Sequence, residues 1–255
     1  VRAPGFTDPQ CFDRAVALVA AHAAELAAVI VEPVVQGAAG MHLADPADLH
    51  RLARACAEHD VLLICDEVAT GFGRTGTLFA SEQCGIRPDL LCLGKGLTAG
   101  YLAMSATVAS GRVYDAFLGE DLGPHTLYHG HSYSGNALAA AVALRHLELF
   151  EEWDVLANVR ARGDQLRALL AERIAPRPEV RTIRQQGLMV GVELAPPRDG
   201  LRWGRRVCAA SVRHGVLLRP LGDVVVLMPI LTSTSEEIER IVATLERAIT
   251  EGTAP

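Results

Sequence analysis

Apolar positions along the chain fall into two kinds of run. Residues 27–31, 61–65 and 90–93 are short, nearly unbroken apolar stretches. Such runs mark strands that are covered on both faces. The first stops at Glu32-Pro33, the second at Asp66-Glu67 and the third at Gly94-Lys95. Residues 103–109 are predicted to add a fourth strand. Helical spacing dominates elsewhere. Residues 12–25 are predicted to be a helix. Over residues 46–58 the apolar positions Leu49, Leu52, Ala53 and Cys56 repeat at helical intervals, with Asp45 as N-cap and Pro46 in the first turn. Strands that are apolar throughout, with a helix between the first two, imply a covered, mainly parallel sheet of the α/β class.

A polar loop covers residues 119–134. Helices are predicted over 136–150 and 155–174. From about residue 178 the pattern changes. Short strands at 180–184 and 188–194 precede a helix at 201–213, and strands at 216–219 and 224–227 precede a last helix at 235–249. This reads as a smaller α+β domain. The boundary falls in Glu151-Glu152-Trp153-Asp154, giving a large-domain portion over 1–152 and a small domain over 153–255. The chain has no internal repeat.

Composition narrows the function. Half of the 255 residues are apolar and 21% are charged, enough for a sizeable core. The net charge of −6, with 5% aromatics and no basic stripe, argues against nucleic acid. No stretch reaches the ~18 uninterrupted apolar residues of a membrane span. The six cysteines form no C-x-x-C pair and no zinc spacing, so no metal is expected and the reducing cytoplasm is the expected compartment. The opening Val1-Arg2-Ala3-Pro4 is neither a signal peptide nor an initiator, and reads as the start of a piece cut from something longer.

One residue breaks the composition. Lys95 is the single lysine, and the other 23 of the 24 basic side chains are arginine. A guanidinium stays protonated, whereas a partly buried amine can lose its proton and act as nucleophile or base. Lys95 lies between glycines just past an apolar strand, which suits a covalent link to a carbonyl cofactor. In open α/β sheets ligands sit at the carboxyl ends of the strands, where Asp66 and Lys95 both fall. An aldehyde-bearing pyridine cofactor needs such a pair: an amine for the carbonyl and a carboxylate for the ring nitrogen. An isolated Asp and Lys at strand ends also fits an ordinary surface ion pair.

The surrounding motifs favour the cofactor. The run Asp66-Glu67-Val68-Ala69-Thr70-Gly71-Phe72-Gly73-Arg74-Thr75-Gly76, followed by Pro88-Asp89-Leu90-Leu91-Cys92-Leu93-Gly94-Lys95, resembles the signature of the class III pyridoxal-phosphate aminotransferases. Val31-Glu32-Pro33-Val34-Val35-Gln36-Gly37-Ala38-Ala39-Gly40-Met41 is similar to the same family upstream. His129-Gly130-His131-Ser132-Tyr133-Ser134-Gly135-Asn136 and Leu218-Arg219-Pro220-Leu221-Gly222 extend the resemblance to the rest of the chain. Many relatives that use ω-amino acids carry a glutamate where Ala38 stands. This favours the biotin-pathway branch, whose substrate is 8-amino-7-oxononanoate and whose amino donor is S-adenosylmethionine or, in some members, lysine. Another class III aminotransferase acting on an ω-amino acid or diamine is the second reading, and a non-catalytic remnant the third.

The resemblance implies a fold type I pyridoxal-phosphate transferase that works as a homodimer with shared active sites. Pyridoxal 5′-phosphate would contact Lys95, Asp66, His131, Ser132 and Glu32, with Lys95 and Asp66 as the catalytic pair. Ser132 would hold the phosphate from across the dimer interface, and its place ahead of a helix suits an anion. Gly130, Arg219 and Lys95 would meet substrate, with Arg219 taking a carboxylate. His129 and His131 are read as loop structure rather than acid–base groups, because the family gives proton transfer to the lysine. The resemblance begins well inside the family's sequence, with roughly 180 residues missing at the amino end. The chain alone is therefore expected to be inactive and poorly folded, with exposed sheet edges.

Overall fold

The computed structural model describes residues 1–254. In chain order the first half forms α1 (Cys11–His22), β1 (Ala28–Val31), β2 (Val35–Gln36), β3 (His42–Leu43), α2 (Pro46–Glu58), β4 (Leu62–Asp66), β5 (Leu90–Leu93), β6 (Ala106–Ala109) and α3 (Gly111–Asp115). The second half forms α4 (Ala137–Glu152), α5 (Val155–Arg173), β7 (Val180–Gln186), β8 (Met189–Leu194), α6 (Trp203–Arg213), β9 (Arg219–Leu221), β10 (Val224–Leu227) and α7 (Ser235–Thr253). Short 3-10 turns cover Ala80–Cys84 and Lys95–Thr98. Two compact units result. One holds Val1–Val34, Ala44–Phe72 and Phe79–Trp153. The other holds Val35–Leu43, Gly73–Leu78 and the chain from Asp154 onward.

The first unit is built on a sheet in the order β1-β4-β5-β6. β1, β4 and β5 run parallel, as the apolar runs predict. β6 returns antiparallel to β5. The link between them holds only the Lys95–Thr98 turn, and a parallel return would need a long crossover, usually a helix. α2 begins where Asp45 accepts a hydrogen bond from the Ala47 amide at 2.8 Å. It buries Leu49, Leu52, Ala55 and Cys56, the face its spacing foretells. α4 is capped by Asn136, whose side chain accepts from the Leu138 and Ala139 amides, and it packs on the turn that follows β5.

The second unit carries an antiparallel sheet in the order β7-β8-β10-β9. α6 and α5 pack on α7, and the fully buried Leu166, Leu170, Ile238, Leu245 and Ile249 belong to its core. The predicted strand at 216–219 lies further along, at Arg219–Leu221. Leu217 is 87% exposed, while Arg219 and Pro220 pair with Val226 and Val225 of β10. A proline is tolerated there because β9 is an edge strand. α3 and the β2–β3 hairpin were not foreseen. Both are too short for a period to register. Among the described residues, no helix is long and apolar enough to cross a membrane, and all six cysteines are free.

Candidate functional site at the carboxyl ends of the parallel strands

The register of the parallel strands gathers part of the expected site. Val31 pairs with Cys65, and Asp66 pairs with Cys92. Glu32, one residue past β1, and Asp66, the last residue of β4, therefore lie at neighbouring strand ends. Lys95 follows β5 after Gly94, at the same edge of the sheet. Asp66 is half-buried, and its Oδ1 accepts a hydrogen bond from the Val68 amide at 3.0 Å. Lys95 is exposed and opens the Lys95–Thr98 turn.

The glycines on either side of Lys95 have separate reasons. A Cβ on Gly94 would lie 3.3 Å from Val68 Cγ1, and one on Gly96 would lie 2.9 Å from Phe72 Cβ. Phe72 is buried and makes an edge contact with Phe79, with ring centroids 5.7 Å apart. Lys95 itself sits at φ +42°, in the left-handed region that costs an ordinary side chain on the order of 1 kcal/mol. The backbone thus holds the lysine in a conformation it would not choose alone.

Next to Asp66, Glu67 is fully buried. Its Oε2 accepts from the Thr70 hydroxyl at 2.5 Å and the Ala80 amide at 3.0 Å, and its Oε1 accepts from the Ser81 amide at 2.7 Å. Neither Glu67 nor Phe72 was singled out from the sequence. An acid after a strand-end aspartate gives no hint that its partners lie three, thirteen and fourteen residues away.

The other expected residues belong to other elements. Gly130, His131 and Ser132 lie in an exposed stretch ahead of α4. The His131 amide donates to Ser134 Oγ at 3.0 Å, and His131 Nδ1 accepts from the Tyr133 amide at 3.1 Å. Ser132 does not cap α4, because Asn136 does. Arg219 belongs to the second unit, exposed at the start of β9. Among the described residues, no cluster of His, Cys, Asp and Glu could hold a metal ion. A lone lysine and a carboxylate at adjacent strand ends match the two groups that a pyridoxal phosphate ring and aldehyde require.

Comparisons with known proteins point the same way. Residues 7–249 match the family described as Aminotransferase class-III. The chain is 46% identical over 246 residues to the adenosylmethionine-8-amino-7-oxononanoate aminotransferase of Nitratidesulfovibrio vulgaris, covering 94% of this chain and 45% of that relative. The crystal structure of the enzyme of that name from Methanocaldococcus jannaschii superposes with a TM-score of 0.92 at 38% identity, covering 98% of this chain and 59% of that one. An amine transaminase from an uncultivated Pseudomonas species, solved in its pyridoxal-phosphate-bound form, is 36% identical with a TM-score of 0.87, covering 95% and 57%. The chain spans about half the length of the curated relatives it matches.

Proposed function

The chain belongs to the class III aminotransferases, and from that premise we propose that the complete protein uses pyridoxal phosphate to aminate 8-amino-7-oxononanoate to 7,8-diaminononanoate. S-adenosylmethionine is the proposed amino donor and lysine the alternative. The observation that carries the reading is the placement of Asp66 at the end of β4 and of Lys95 just past the adjacent parallel strand β5. The name of the 46% identical relative supports the substrate. The 36% identical amine transaminase keeps a second reading open, an aminotransferase for another amine or ω-amino acid.

When bound, pyridoxal phosphate supplies an electron sink for the charge that develops at the amine carbon. The chain's own groups do the rest. The Lys95 amine would hold the cofactor through its aldehyde and would carry a proton to and from the substrate carbon. The Asp66 carboxylate would hold the ring nitrogen and favour its protonated form. Its Val68 bond occupies one oxygen and leaves the other for that nitrogen. Ser132 and His131 are proposed to serve the phosphate, with Ser132 acting on the partner subunit's site in a homodimer. Glu32 is proposed to lie beside the ring. Gly130 and Arg219 are proposed to meet substrate, Arg219 through a bidentate contact to a carboxylate. A cytoplasmic enzyme fits six reduced cysteines.

Borohydride reduction of the pyridoxal-phosphate-loaded protein tests this. Peptide mapping should place the label on Lys95, and Lys95→Ala should lose both label and amination. Label elsewhere, with Lys95 unmodified, rejects the assignment. Assays of 8-amino-7-oxononanoate against other ketones then decide between the two readings.

A further inference from the structure

We propose that Glu67 is a positioning residue whose buried carboxylate locks the 68–80 loop against both Asp66 and the Lys95 turn, setting the reactivity of that lysine. The inference rests on the aminotransferase reading above. It starts from an oddity of burial. Glu67 is fully covered, yet the donors that meet its carboxylate are neutral: the Thr70 hydroxyl and the Ala80 and Ser81 amides. Keeping a charge buried on such partners is costly unless every lone pair counts. Glutamine would not serve, because its amide nitrogen would face a donor with another donor.

Every polar atom of Glu67 ties something to the site. Its amide donates to Cys92 O at 3.0 Å, carrying the β4–β5 ladder one step beyond Asp66. Its carbonyl accepts from the Gly71 amide at 2.9 Å. Its carboxylate closes the loop by capturing Ala80 and Ser81. The loop so fastened holds Val68 and Phe72. Val68 donates to Asp66 Oδ1 and lies against Gly94, while Phe72 lies against Gly96. One buried carboxylate therefore fastens the segment that touches the glycines before and after Lys95 and that gives Asp66 one hydrogen bond. A purely structural cap would change stability alone. A positioning group changes how fast Lys95 reacts and at what pH.

The test uses the complete protein loaded with pyridoxal phosphate, comparing wild type, Glu67→Gln, Thr70→Val and Thr70→Ser. Four quantities are read: thermal unfolding, cofactor affinity, the rate of borohydride-trappable attachment at Lys95, and the pH midpoint of that rate. Glu67→Gln should slow attachment about tenfold and move the midpoint by about half a unit or more, while affinity changes less. Thr70→Val removes one donor and should slow attachment about threefold. Thr70→Ser keeps the hydroxyl and should restore the wild-type rate. Wild-type rates and midpoints in a folded Glu67→Gln protein overturn the proposal. Should Glu67→Gln not fold, Thr70→Val decides, and an unchanged rate and midpoint there overturn it. A wild-type protein that leaves Lys95 unlabelled overturns the aminotransferase reading itself, an outcome distinct from a labelled wild type with an indifferent Glu67.

Discussion

The placement of Lys95 and Asp66 was legible because each follows or ends an apolar run that forms a parallel strand. What surrounds them was not legible. Gly94 and Gly96 stand out in sequence, but their purpose lies in Val68 and Phe72, which approach from a distant loop. The two glycines should therefore differ in tolerance. On Gly96 a methyl would come within 2.9 Å of Phe72 Cβ and 3.1 Å of its Cδ2, and buried Phe72 has little room to turn. On Gly94 it would meet Val68 Cγ1 at 3.3 Å, a shift of a few tenths of an ångström. Gly96→Ala should lower unfolding free energy by about 1–3 kcal/mol and Gly94→Ala by less, read from urea unfolding. Equal losses would place the crowding elsewhere. The cysteines make a second prediction at this scale. Burial pushes the Cys56, Cys84 and Cys208 thiols up to about 11 and Cys65 up to about 12. Unfolded thiols ionise near ~8.5. Above that pH the unfolded chain releases protons that the folded chain keeps, so stability falls as pH rises from there through about 11. Urea midpoints should be level between pH 7 and 8 and drop by pH 10, with Cys65→Ala softening the drop. A profile flat to pH 10 would show that these thiols ionise freely when folded.

At the scale of elements, the long helices and the apolar strands were read from local pattern, while α3 and the β2–β3 hairpin were missed. α2, α5, α6 and α7 each bury residues at helical spacing, so their cores are written in local sequence. The direction of β6 and the β2–β3 hairpin depend on pairing, which no local pattern encodes. Helix ends follow from capping chemistry. At α7, Thr234 Oγ1 accepts from the Glu237 amide at 3.2 Å, and Glu237 Oε2 accepts from the Thr234 amide at 2.9 Å. The helix then buries Ile238, Val242, Leu245 and Ile249 completely. Loss of this reciprocal pair unties two end amides without disturbing that core. Thr234→Ala should cost about 1 kcal/mol, and Thr234→Ser much less, in chemical denaturation. If both cost the same, the side-chain hydroxyl is not what caps the helix.

At the scale of the whole molecule, the sequence suggests two consecutive domains, whereas the second compact unit also recruits residues 35–43 and 73–78. Those pieces are built in. Arg184 donates through Nε and Nη2 to Gly40 O at 3.1 and 2.8 Å. Met41 lies over Gly191, where a Cβ would come within 2.9 Å of its own. Arg74 donates to Pro229 O at 2.5 Å, with burial pulling its pKa down to about 10, and its carbonyl accepts from the Leu188 amide at 3.0 Å. Gly187 meets Thr75 so closely that any Cβ would sit 2.5 Å from a backbone carbon. Such contacts between distant stretches cannot be read from local pattern, which is why a linear boundary looked sufficient. They also predict what a cut at that boundary would do. A piece comprising 153–255 keeps the β7–β10 sheet and α5–α7 but loses the buried Val35 and Met41 and the partners of Leu188 and Pro229. It should unfold with a stability lowered by about 3 kcal/mol or more relative to the same residues in the intact chain. Amide exchange should be fastest along β7 and at Leu188, and a hydrophobic dye should bind the uncovered face. Protection at Leu188 equal to that in the intact chain would mean that residues 73–78 contribute nothing to this unit. Faster exchange confined to β7 and Leu188 would mean that the domain is discontinuous in sequence, with Gly71 and Phe72 of the glycine-rich motif belonging to the unit that holds Lys95 and residues 73–76 to the unit that holds β7–β10.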